Sequence, residues 1–203
     1  MTFLVKQQRH LNLMSKKSEK LEVTYSEVAE LLATKNIVAI YQGRTEAGPR
    51  ALGNRSILYD PRDPDSRDYV NSVKQREYWR PFAATVMLEH VHDWFDMATL
   101  KESSYMMYAV PVREDKKDLI PGVIHVDGTC RIQTVTEDQN YHYYNLIKSF
   151  YEITSIPLVF NTSFNLGGEV ICHTLFDAYT TLDNSSIEYL YLPEEKKLIV
   201  SEN

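Results

Sequence analysis

Between Gly43 and Ser56 the chain packs three arginines, three glycines and a proline into fourteen residues, GRTEAGPRALGNRS. Glycines let a backbone approach an anion and adopt positive φ. Arginines add planar, permanently charged forks that match phosphate and carboxylate oxygens. A structural loop whose arginines pair with surface acids has the same composition. Three further polar clusters follow. Val73–Phe82 carries Lys74, Arg76 and Arg80; His125–Arg131 reads HVDGTCR; Asn161–Glu169 reads NTSFNLGGE. Together they offer cations, amides and hydroxyls, the equipment for a polyphosphate. Walker A, GxGxxG, a nucleophile elbow and a Ser-His-Asp order are all absent. His90 and His92 alternate on an expected strand end and lack a third metal ligand, which favours a solvated strand end. His125 beside Asp127 fits an acid/base pair and a turn histidine equally well.

These clusters need a scaffold. Thr24–Glu27 matches a capping box, with Val28, Leu31 and Leu32 on one helical face. That helix is expected to end near Lys35–Asn36 and lead into a strand at Ile37–Tyr41. A turn at Asp60–Pro64 precedes a helix over 64–73. Pro81–Glu89, Tyr105–Val112, Ile132–Val135 and Pro157–Phe160 read as strands, with Glu114–Asp118 a charged loop. Asn140–Ile153 reads as a helix facing Leu146, Ile147, Phe150 and Ile153 inward. Thr174–Leu182 is a final helix, and Tyr189–Leu192 with Lys197–Val200 a closing hairpin. Alternating helices and strands make an α/β protein with a mixed sheet.

Composition narrows the function. The 203 residues, 43% hydrophobic and 25% charged, fit one ordinary globular domain, alone or with an extension. Seven of the ten arginines lie between Arg44 and Arg80, although the net charge is −6. That is a local anion site rather than a basic field, so nucleic acid is disfavoured as the main ligand. Residues 1–20 hold +4, and 1–22 read as a basic arm or linker before a domain at 23–203, with Phe3–Val5 able to dock as a strand. Cys130 and Cys172 lack zinc or disulfide spacing, which fits a reducing cytoplasm. No apolar run reaches a membrane span or makes a signal peptide. Fourteen tyrosines fit a half-buried sheet surface.

Read in order, GPRALGNRSIL (48–58), VKQREYWRPFA (73–83), SSYMMY (103–108), HVDGTCRIQTV (125–135) and NTSFNLGGEVI (161–171) resemble the C-terminal domain of the O-carbamoyltransferases. Those enzymes act on nodulation factors, cephalosporins and aminoglycosides. The resemblance covers about residues 23–192 and implies a YrdC-like fold, a twisted open mixed sheet with flanking helices. Lys74–Arg76 and Ser163–Asn165 also resemble the KxR and SxN pair of YrdC-like proteins. Ala47 stands where the family has a bulkier residue, and Cys130 where a small one is common; neither change removes a charge.

The resemblance implies that carbamoyl phosphate and ATP, with Mg²⁺, form carbamoyl-adenylate here. A metal-containing N-terminal domain would then transfer the carbamoyl group to a hydroxyl. That domain is not in this sequence, so a separately encoded partner is expected, and the transfer metal with it. Lys74, Arg131 and Ser163 take the catalytic roles. Arg44, Arg50, Arg76, Arg80, Thr129, Asn161 and Asn165 are expected to bind substrate or nucleotide, with Ser104 and Met106 lining the nucleotide pocket; no metal ligands are assigned. The alternatives are a non-catalytic module for nucleotide or carbamoyl phosphate, or a YrdC-like protein of tRNA modification or RNA binding.

Overall fold

The computed structural model describes residues 17–201. Phe3–Val5 and the cations Lys6, Arg9 and Lys16 lie outside the described residues. Among the described residues nine strands form one mixed sheet: β1 (Lys17–Lys20), β2 (Val38–Tyr41), β3 (Arg55–Tyr59), β4 (Ala83–Met87), β5 (Tyr108–Pro111), β6 (Thr129–Val135), β7 (Leu158–Ser163), β8 (Tyr189–Leu192) and β9 (Lys197–Ser201). Their order is β1-β9-β8-β2-β3-β7-β4-β6-β5, so the sheet is open, with β1 and β5 at its edges. The pairs β2–β8 and β4–β6 are parallel and the others antiparallel. The helices are α1 (Tyr25–Ala33), α2 (Ser66–Val73), α3 (Val91–Trp94), α4 (Tyr141–Thr154) and α5 (Leu175–Asp183). None of the helices among the described residues is long and apolar enough to cross a membrane.

Local chemistry explains the helix starts. Thr24 accepts from the Glu27 N–H while Glu27 accepts from the Thr24 N–H, and Thr174 with Asp177 repeats the arrangement at α5. Each box satisfies two otherwise orphaned donors. Asn140 caps α4 by accepting from the Tyr143 N–H at 3.2 Å. Val28, Ala29 and Leu32 of α1 and Leu146, Ile147 and Phe150 of α4 are fully buried, and the two helices pack together. Ile153, expected inward, is instead 44% exposed.

Three expectations are corrected. Lys17–Lys20, inside the stretch read as an arm, pairs with β9 as an edge strand. The strand expected to reach Glu89 stops at Met87, and Leu88–His90 is a 3-10 turn leading into α3. His90 and His92 therefore sit on helical turns rather than a strand end. Among the described residues no three His, Cys, Asp or Glu side chains gather as a metal site.

The register fixes where the polar clusters emerge. Tyr41 at the end of β2 pairs with Arg55 at the start of β3, and Ser56 pairs with Ser163 at the end of β7. Ala83 at the start of β4 faces both Asn161 and Arg131. The loops 42–54, 74–82, 124–128 and 164–172 thus leave the sheet at one end. Because strand side chains alternate, Ser56, Asn161, Ser163, Ala83 and Arg131 share one face.

Candidate functional site

The arginine loop is wired from within. Glu46 Oε1 accepts from the backbone N–H groups of Leu52 and Asn54, each at 2.8 Å. Gly53 has φ +104°, and any Cβ there would run into the Tyr143 ring, so glycine is required. Arg55 points to the sheet face opposite Ser56 and is 2% exposed. Its Nη1 donates to the carbonyls of Gln42 at 2.5 Å and Asn54 at 2.8 Å, and its guanidinium stacks 3.5 Å from the Tyr41 ring centroid. Arg55 therefore builds the loop. The structural roles of Glu46 and Arg55 are not visible in the sequence, since backbone donors and acceptors leave no mark there.

A cleft of about 780 Å³ opens at this end of the sheet, lined by Lys74, Arg76, Arg80, Ser163, Asn165 and Glu169 among others. Arg76 donates from Nε to Asn71 Oδ1 at 2.5 Å and covers the Phe82 ring at 4.3 Å. Burial, then the positive fields of Arg80 and Arg131, push its pKa down to about 10. Burial and then Arg50 likewise lower that of Arg131. Like-charge repulsion thus runs from Arg50 to Arg131 and from Arg131 and Arg80 to Arg76, although Arg50 and Arg131 are not among the residues that line the cleft. Arg50 Nε, Arg76 Nη2 and Arg131 Nε are buried with no hydrogen-bond partner. Arg80 pairs with Glu77 at 2.7 Å in an exposed ion pair, and the same carboxylate also acts on Arg76, against the fields of the neighbouring arginines.

Lys74 behaves differently from its expected role. It is 2% exposed. Its Nζ donates to the Ser163 carbonyl at 2.5 Å, the Asn165 carbonyl at 2.7 Å and Asn165 Oδ1 at 3.1 Å. Three oxygens match the three protons of an ammonium. Burial, then Arg76, oppose that charge and push the pKa down to about 7. With every donor engaged, Lys74 has none left for a phosphate in this conformation.

The other expected residues divide. Ser163 and Asn165 face the cleft, with Ser163 Oγ donating to Asn165 Oδ1 at 2.6 Å. Asn161 is 1% exposed and donates to Ala51 O at 3.1 Å and Thr85 Oγ1 at 2.9 Å, tying the arginine loop to the sheet. Gln133 extends this seam through Leu52 O at 3.0 Å. Thr129 donates to Asp127 Oδ1 at 2.7 Å. His125 donates from Nε2 to the Phe82 carbonyl at 2.9 Å, with Nδ1 3.2 Å from Thr129 Oγ1. That is the turn histidine, not an acid/base pair. Met106 is 3% exposed and lines no described cleft around the cations. Ser104 lines a separate polar pocket of about 260 Å³ with Glu46, Asn54 and Gln133. Arg44 is exposed, and its carbonyl accepts from Asn54 Nδ2 at 3.0 Å.

Comparison with known proteins gives a consistent picture. The family model for the carbamoyltransferase C-terminus matches residues 29–198. The nodulation protein NolNO of Sinorhizobium fredii is 42% identical over 174 residues, 85% of this chain and 26% of that protein. NolO of Bradyrhizobium diazoefficiens is 40% identical over 167 residues, covering 81% and 30%. Nodulation protein U of Rhizobium tropici is 40% identical over 142 residues, covering 70% and 24%. The chain spans about a quarter to a third of the length of these relatives. The crystal structure of T. kodakarensis HypF superposes with a TM-score of 0.57 at 16% identity, over 89% of this chain and 23% of that one. At that identity the likeness establishes the fold, a YrdC-like open mixed sheet.

Proposed function

The chain belongs to the carbamoyltransferase C-terminus family, and from that premise we propose that it binds ATP and carbamoyl phosphate over its arginine cluster and forms carbamoyl-adenylate. One observation carries the reading. Three buried guanidinium nitrogens, on Arg50, Arg76 and Arg131, lack partners within a cluster of like charge. Buried donors are ordinarily bonded, and buried like charges are costly unless a counter-charge joins them. A polyphosphate supplies both the acceptors and the charge.

The chemistry suits the site. ATP and carbamoyl phosphate repel each other, so cations must offset that repulsion before the reacting oxygens can approach. Arg50, Arg76 and Arg131 hold the phosphate and carbamoyl oxygens. Arg80, released from Glu77, closes over the exposed side. Ser163 and Asn165 hydrogen-bond the phosphates or the adenylate. Magnesium enters as the ATP complex and offsets further charge. Overall, carbamoyl phosphate, ATP and one water give carbamoyl-adenylate, pyrophosphate and phosphate. Transfer to an acceptor hydroxyl would fall to a separately encoded N-terminal partner domain, which would also bring the metal of that step.

The test is exchange of labelled pyrophosphate into ATP. Exchange that requires carbamoyl phosphate supports the reading. Absence of exchange, with no binding of either substrate by calorimetry, refutes it. Binding without exchange would leave a carrier module, and exchange that requires threonine would move the protein to tRNA modification. With ATP, carbamoyl phosphate and a panel of sugar acceptors, the chain alone is expected to yield no carbamoylated acceptor by mass spectrometry.

A further inference from the structure

Lys74 is among the residues lining the cleft, yet its ammonium is engaged by oxygens of the protein itself. It follows the last residue of α2, and Gln75 after it takes a left-handed conformation at φ +53°. That turn closes with Gln75 N–H donating to Ser72 O and Arg76 N–H to Asn71 O. The loop after β7 is laid against it at two levels. The main chains meet where the Gly167 N–H donates to Lys74 O at 2.7 Å. The approach is so close that a Cβ on Gly167 would stand 2.5 Å from Gln75 O. The side chain of Lys74 then reaches back to the Ser163 and Asn165 oxygens. Within the loop, Asn165 Nδ2 donates to Glu169 O at 2.6 Å and the Leu166 N–H to Glu169 Oε2 at 3.1 Å.

We propose that Lys74 is a positioning residue, an internal clasp whose ammonium fastens the Ser163–Glu169 loop to the end of α2 and thereby sets where Ser163 and Asn165 stand in the cleft. Its consequence for a ligand rests on the polyphosphate reading; the clasp itself does not. Without the ammonium, two main-chain carbonyls and one amide oxygen lose their common donor. Buried acceptors left this way are unfavourable, so the loop opens to water.

The clasp is tested on the full chain by amide hydrogen exchange without ligand. Lys74→Met keeps the length of the side chain and removes its donors. Exchange over 164–169 is expected to rise about tenfold or more, while α4 is unchanged. Unaltered protection of that loop in Lys74→Met overturns the clasp. A second measurement separates positioning from direct ligation. Pyrophosphate affinity is compared for Ser163→Ala, Lys74→Met and the double variant. Under the clasp, Ser163→Ala weakens binding in the parent and has little further effect in Lys74→Met. Additive losses make Lys74 a direct ligand and overturn the proposal. If Lys74→Met fails to fold, Gly167→Ala serves. It displaces the loop from Gln75 with Lys74 intact, and must raise exchange over the same residues and erase the Ser163 effect, or the proposal fails. If pyrophosphate binds no variant, the polyphosphate reading falls, while loop exchange still decides the clasp.

Discussion

Arg131→Met separates a ligand-binding arginine from a structural one, because the two effects have opposite signs. Arg131 is partly buried, its Nε has no partner, and burial and Arg50 both lower its pKa. Its charge therefore works against the folded protein while no anion is present. Methionine keeps the unbranched stem and carries neither charge nor orphaned donor. Replacing a poorly compensated charge by an apolar side chain is commonly neutral or stabilising, here by up to about 2 kcal/mol. The same change removes a charge-assisted contact to bound pyrophosphate, a loss of about 1.5–3 kcal/mol. At 1.36 kcal/mol per tenfold, that is a Kd raised by about 13- to 160-fold. The assay pairs calorimetric titration of pyrophosphate with a thermal melt of the same preparation. The expected outcome is weaker binding with a Tm equal to or above the parent's. A lowered Tm with unchanged affinity would make Arg131 a structural cation and remove the central group of the site.

Other outcomes follow from single contacts. Gly53→Ala meets both the positive φ and the Tyr143 ring, and is expected to cost on the order of 3 kcal/mol in urea unfolding. Asn161→Ala leaves Ala51 O and Thr85 Oγ1 without their donor and is expected to lower stability by about 1–3 kcal/mol, with a shifted urea midpoint. Thr24→Ala removes the cap of α1, at about 1 kcal/mol by the same measurement. The carboxylate of Glu27 is held at about 2 by Lys20 first and then by the Thr24 backbone. Its folded value lies below its unfolded one, so this contribution is present above about pH 4.5 and is lost as pH falls towards about 2. Glu27→Gln is expected to flatten the acid limb of stability in that window, read by circular dichroism.

The parts legible in the sequence are those governed by local rules. The Thr24–Glu27 box can be read because cap and acid lie three residues apart, and the inward face of α4 follows from Leu146, Ile147 and Phe150. Arginine density and the family resemblance point to a shared site for Arg50, Lys74, Arg80 and Arg131; in the structure Lys74 and Arg80 line the cleft, and Arg50 acts on Arg131 beside it. The illegible parts depend on backbone partners far along the chain. Lys74 resembles a phosphate ligand until Ser163 and Asn165 supply its acceptors, and Asn161 until Ala51 and Thr85 do so. The sequence reading assigns no element to Arg55–Tyr59, which forms β3 directly after the glycine–arginine stretch.

The strand order carries a consequence for how the protein is made. β2 ends at Tyr41, but its parallel neighbour β8 begins only at Tyr189. As the nascent chain lengthens, β3, β7, β4, β6 and β5 have their partners once Ser163 has emerged. Val38–Tyr41 then remains as an apolar strand with one bare edge. Such edges recruit other chains, and pairings this distant form slowly. The last fifteen residues of the described chain therefore protect the centre of the sheet, and a ribosome-bound intermediate lacking them would hold a nearly complete cleft on an aggregation-prone scaffold.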